Sequence, residues 1–76
     1  MGPIDTLKRL LPKGSLVTLR YDDSEPQAIT GHRMTRLNGP QVRLGPRWYY
    51  LYQLRSGRDL LSQFRLLEAA ALAALV

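Results

Sequence analysis

The chain has no cysteine and only one histidine (His32), one tryptophan (Trp48) and one phenylalanine (Phe64). Without cysteine there are no disulfide staples and no thiolate ligands, and a reducing compartment is the natural expectation. One histidine leaves too few ligands for the usual zinc sites and no cysteine–histidine nucleophile pair. Neither a metal nor a cofactor is therefore expected, and no catalytic residue is identified: Asp22, Asp23 and Glu25 crowd a turn without a partner base, and Asp59 sits among arginines that would keep it ionised. Long apolar runs are lacking as well. The N-terminus carries no apolar core of signal-peptide length and Leu66 to Val76 is too short to cross a bilayer, so a cytoplasmic protein with no membrane partner is expected.

Acids are scarce where the bases are dense. Lys and Arg together number 11 against 6 Asp and Glu, a net charge of +5. Between Pro26 and Arg65 the arginines at 33, 36, 43, 47, 55, 58 and 65 face a single acid, Asp59, for a local surplus of +6. Lysine is rare too: only Lys8 and Lys13 occur, and the other nine basic residues are arginine, whose planar fork holds phosphate at two points and stacks on rings. Such asymmetry points to an anionic partner, because neutralising phosphates releases counterions and supplies affinity without sequence readout. A hydrated, solubilising surface or a composition bias toward arginine would account for the same charges.

At 76 residues the chain is expected to form one domain, 1–76, since a domain this small buries only about 60% of its unfolded surface and leaves little for a second core. Ile4, Leu7, Leu10 and Leu11 recur at helical spacing before Pro12 and Gly14, which predicts a short helix over 4–11. Alternation over 15–21 predicts a strand, followed by an acidic turn at 22–26. A second strand is expected at 27–37 with a bulge or bend at Gly31, a turn at Asn38-Gly39-Pro40, and a short third strand at 41–44 ended by Gly45-Pro46. Trp48 to Arg55 reads as the fourth strand, 56–59 as a turn and 60–67 as the fifth. The Leu- and Ala-rich stretch 66–76 predicts a helix that is apolar nearly all round, and so packs over an open edge of the barrel or against another subunit. The fold class expected is mainly β: a five-stranded SH3- or Sm-like barrel over 15–67 with a short helix at each end.

The densest chemistry lies in Arg47-Trp48-Tyr49-Tyr50-Leu51-Tyr52, which brings the tryptophan and three of the four tyrosines together among arginines. Strand alternation sets Trp48, Tyr50, Tyr52 and Leu54 on one face and Arg47, Tyr49, Leu51, Gln53 and Arg55 on the other. The first set reads as core, because large rings fill a small barrel well. Tyr49, flanked by Arg47 and Arg55, then reads as a stacking platform for a base. His32 reads as satisfying a local hydrogen bond rather than touching a ligand.

The order of these segments resembles the WYL domain, a small Sm-like β-barrel module of bacterial transcription regulators. Leu19-Arg20-Tyr21-Asp22-Asp23 is similar to that family's opening strand and acidic turn, Pro46-Arg47-Trp48-Tyr49-Tyr50-Leu51 to its signature tripeptide strand, and Leu54 to Leu66, with Phe64-Arg65-Leu66, to the arginine-bearing turn and strand that follow. The resemblance implies a regulatory or ligand-sensing module, here standing alone. The candidate ligand-binding residues are Arg20, Tyr21, Arg47, Trp48, Tyr49, Arg55, Arg58 and Arg65, and the expected ligand is nucleic acid, single-stranded rather than duplex. Leu66, Leu72 and Leu75 are the candidate interface residues for a protein partner, a homodimer or a higher oligomer. A protein-interaction module acting on a larger complex and a nucleotide or small-ligand sensor are the alternative readings.

Overall fold

The computed structural model describes residues 2–21 and 25–74. A first helix, α1 (Pro3–Leu10), precedes a curled antiparallel sheet of four strands, β1 (Leu16–Val17), β2 (Gln27–Thr35), β3 (Gly39–Leu44) and β4 (Arg47–Tyr50), in that spatial order. A 3-10 turn (Leu51–Gln53) and a long helix, α2 (Gly57–Ala74), follow.

Local chemistry accounts for the boundaries. Pro3 occupies the first turn of α1, where its missing N–H costs nothing, and the Asp5 carboxylate accepts from Gly2 N at 3.1 Å. Gly14, Gly39 and Gly45 take positive φ at the corners between elements, a region open to glycine without strain. The two-residue loop Gly45-Pro46 sets Leu44 opposite Arg47 and Arg43 opposite Trp48. Tyr50 N donates to the Gln53 side chain at 2.8 Å, which turns the chain out of β4 into the 3-10 turn. Beyond that turn the chain meets the continuation of β1: Leu19 bridges Leu54, Arg20 N donates to Gln53 O at 2.8 Å and Arg55 N to Thr18 O at 2.9 Å. The sheet thus curls back on its own beginning.

Inside the curl, Leu7, Leu11, Ile29, Val42, Leu44, Leu51, Leu54 and Phe64 form the core. Each aliphatic side chain moved from water into such a core contributes about 1.5–3 kcal/mol. Helix α1 supplies Leu7 and Leu11, and α2 closes the other side with Phe64 while Leu60 and Leu61 pack at its margin. Gly57 permits that closure: a Cβ there would lie 2.2 Å from Leu51 O and 2.7 Å from Tyr52 Cα, so α2 begins in backbone contact with the 3-10 turn.

Several expectations hold and others need correction. Helix α1, the β2 strand with a register shift at Ile29/Gly31, and β3 lie close to where the sequence puts them. The mainly-β, five-stranded barrel with a helix at each end holds in part: the antiparallel sheet curls into a half-barrel between two helices, but helix takes 41% and strand 33% of the described residues, and the strands number four. Residues 60–67, expected as the fifth strand and likened to the WYL Phe-Arg-Leu strand, lie inside α2, which begins at Gly57 rather than 66 and takes in all of the expected turn at 56–59 except Ser56. The reason is legible in hindsight. Ser56-x-x-Asp59 is a capping-box pattern, Leu60 N donates to Ser56 O at 3.0 Å, and Leu60, Leu61 and Phe64 share one helical face. The strand expected over 48–55 breaks at Leu51, and that expected over 15–21 is reduced to Leu16–Val17 and the Leu19 bridge. Asp22 and Asp23 of the expected acidic turn, and Leu75, lie outside the described residues.

Candidate functional site

Because cross-strand partners share a face, the sheet's registers sort its side chains into two sets. Ile29 with Leu44, and His32 with Val42 and Tyr49, face the core. Gly31 with Arg43 and Trp48, and Arg33 with Gln41 and Tyr50, face outward. The expected assignment of the aromatic run is therefore reversed. Tyr49 packs against the core, whereas Trp48 lies half-buried on the outside. The 3-10 turn also breaks the alternation, so that Leu51 and Leu54 are both buried although a continuous strand would have put them on opposite faces.

On the outer face Trp48 lies across β2 at Gly31, where a Cβ would come within 3.3 Å of its ring and 3.4 Å of Arg43 Cβ. The Arg33 guanidinium carbon sits 4.3 Å from the centroid of the Trp48 ring, a cation–π stack, and Arg33 Nε donates to the Gln41 side chain at 2.5 Å. Arg43 Nε donates to Gly45 O at 3.1 Å, which holds the guanidinium beside the β3–β4 loop. Further along, Tyr50 and Tyr52 stack with centroids 5.4 Å apart and planes 7° apart, and Asn38 Nδ2 donates to the Tyr50 hydroxyl at 3.1 Å. The strand residues of this face include two arginines and no acid. Chemically it offers a ring already shown to accept a flat cation, a second ring beyond it, and guanidinium groups held in place to meet an anion.

Compared with protein-family models, with curated proteins and with solved structures, the chain matches none.

The eight residues singled out from the sequence do not form one surface. Trp48 alone belongs to the outer face. Tyr49 lines a shallow hollow with Leu19, Tyr21 and Gln53, and Tyr21 is 90% exposed. Arg20 and Arg55 flank the Leu19–Leu54 bridge, and Arg55 also borders an apolar groove with Leu16, Val17 and Leu54. Arg47 is exposed at the start of β4, in the register opposite to Trp48. Arg58 and Arg65 are exposed on α2, with Arg65 at the rim of a second groove. Arg33, Arg43, Gln41 and Tyr50 complete the outer face without being among those eight, and strand alternation alone assigns Tyr50 to the core. The two-residue loop at Gly45-Pro46 already pairs Arg43 with Trp48, and that register was the available signal.

His32 projects to the core side, where Nε2–H donates to Leu11 O just beyond α1; the bond is structural as expected but long-range rather than local, and Nδ1 is buried without a hydrogen-bond partner among the described residues. Among the described residues no helix is long and apolar enough to cross a membrane.

Proposed function

We propose that this chain is a nucleic-acid-binding module that holds a single strand on the outer face of the sheet. The observation that carries the reading is the Arg33–Trp48 stack beside Arg43, an arginine and aromatic cluster outside the core with no acid among its strand neighbours. Guanidinium contacts to phosphate supply most of the affinity, and bases stacking on Trp48 and Tyr50 supply the rest, at roughly 1–3 kcal/mol per base with little sequence discrimination. The role is binding rather than catalysis, in keeping with the structural engagement of the one histidine. The resemblance of Arg47-Trp48-Tyr49-Tyr50, which forms β4, to the WYL signature strand supports a regulatory module, whereas the segment likened to that family's Phe-Arg-Leu strand is helical and lends it no support.

Fluorescence anisotropy of labelled single-stranded DNA and RNA at two salt concentrations tests this. Expected are binding that weakens with salt, a salt-resistant remainder, and loss of that remainder in Trp48→Ala. Absence of binding at low salt, for a chain of net charge +5, removes the reading.

A second reading, a protein-interaction module, draws on the far half of α2, where Leu66 is 70% and Leu72 61% exposed. Truncation after Leu66 separates the two: loss of self-association or of partner binding with strand affinity intact favours this second role.

A further inference from the structure

Beyond the end of β4 the outer face runs into an open groove of about 550 Å³, within the range of small-molecule sites at roughly 300–1,000 Å³. Leu51 and Phe64, both buried core residues, line its depth, and the stacked Tyr50 and Tyr52 line its side. Tyr50 belongs to both surfaces: its backbone pairs with Gln41 on the outer face, and its ring borders the groove. Three polar side chains stand along the lining. Asn38 gives one amide hydrogen to Tyr50 and keeps its carbonyl oxygen to accept, while Arg65 and Glu68 come from one turn of α2. No ion pair joins those two among the described residues, although they are neighbours on the helix.

Glu68 is the informative member. A carboxylate beside a phosphate path repels the backbone, so its place here makes sense for a base edge that donates hydrogen bonds. Guanine presents N1–H and the N2 amino group side by side, two parallel donors for two carboxylate oxygens, with O6 next to them as an acceptor for a guanidinium. Thymine and uracil offer one such donor. Adenine and cytosine place a ring-nitrogen acceptor beside their amino group, which would meet the carboxylate unfavourably.

We propose that the groove is a guanine subsite, in which one guanine of the bound strand stacks on Tyr52, donates to Glu68 and accepts from Arg65. The proposal rests on the outer face being a single-strand surface, and it adds base discrimination that the face alone does not supply.

The test titrates the full chain into labelled oligothymidylate and into the same oligomer carrying one central guanine. The guanine strand is expected to bind at least about fivefold tighter, the lower end of the discrimination of one good bidentate contact. In Glu68→Gln that ratio is expected to fall to near one, while oligothymidylate binds slightly tighter because a negative charge is gone. Firm but equal binding of both oligomers by the wild type overturns the subsite and leaves the outer face standing. A guanine preference that survives Glu68→Gln also overturns it, by placing the discrimination elsewhere. If neither oligomer binds, the subsite and the strand surface fall together.

Discussion

The same strands present two chemistries one residue out of step. On the inner side Ile29, Val42 and Leu44 are fully buried aliphatics, with Tyr49 packed against their cluster; on the outer side Arg33, Arg43, Trp48 and Tyr50 meet with no core to fill. The largest ring of the chain is thus left outside a core that is small and mostly leucine. Burial explains the inner aliphatics. The outer side needs a different account, because a surface cluster of exposed arginine and half-buried tryptophan gains little stability from its own contacts, about 0.5–1 kcal/mol for a cation–π pair at the surface.

Substitutions can break this contrast. The largest effect is expected at the seam that holds the inner side shut. Gly57→Ala puts a methyl group into the backbone of the 3-10 turn, 2.2 Å from Leu51 O, and is expected to cost about 3 kcal/mol or more, the upper end of overpacking penalties. Urea denaturation followed by circular dichroism measures it, and a stability within experimental error of wild type would show that α2 does not need that close approach. On the inner face, Leu44→Ala is expected to cost about 2–5 kcal/mol while strand affinity, measured below the new melting temperature, changes little. The outer face should answer in the opposite way. Trp48→Ala is expected to weaken single-strand binding by about 1–3 kcal/mol, roughly five- to 150-fold, with a far smaller stability change than Tyr49→Ala. If Tyr49→Ala instead removes binding and leaves the melting curve in place, the two faces have been assigned the wrong way round. The smallest effect is on salt dependence. Arg33→Gln and Arg43→Gln should each make the slope of log affinity against log salt shallower by about 0.7, the value for one phosphate contact on a single strand. An unchanged slope in the double variant would exclude those guanidinium groups from phosphate contact.

Much of the fold can be read directly from the chain. Glycines at turns, the Gly31 irregularity and the period of α1 mark their elements because each depends on nearby residues alone. Longer-range choices escape such reading. Leu60 to Leu67 is apolar enough for a strand, and what favours helix is the packing of Leu60, Leu61 and Phe64 against the core together with the close approach of Gly57 to the 3-10 turn, a site that the curled sheet supplies. The site is misread for a related reason. Alternation along Arg47 to Arg55 gives the right period but not which face is inward, and Leu51 and Leu54 share the core only because a 3-10 turn removes the strand between them. Counting outward from Gly45-Pro46 would have joined Arg43 to Trp48, but their meeting with Arg33 needs the β2–β3 register as well.

The contact between Gly31 and Trp48 makes two positions, 17 apart in sequence, a single unit of variation. Since the indole takes up the space that any side chain at 31 would enter, a larger residue at 31 should become tolerable once the ring at 48 is trimmed, and the double change should cost less than the two single changes added together. In a family of chains sharing this sheet, the two columns would therefore be expected to drift jointly, glycine with a wide ring or a side chain with a narrow one, so that the inheritance of the outer-face aromatic would be written at a residue that carries no chemistry of its own.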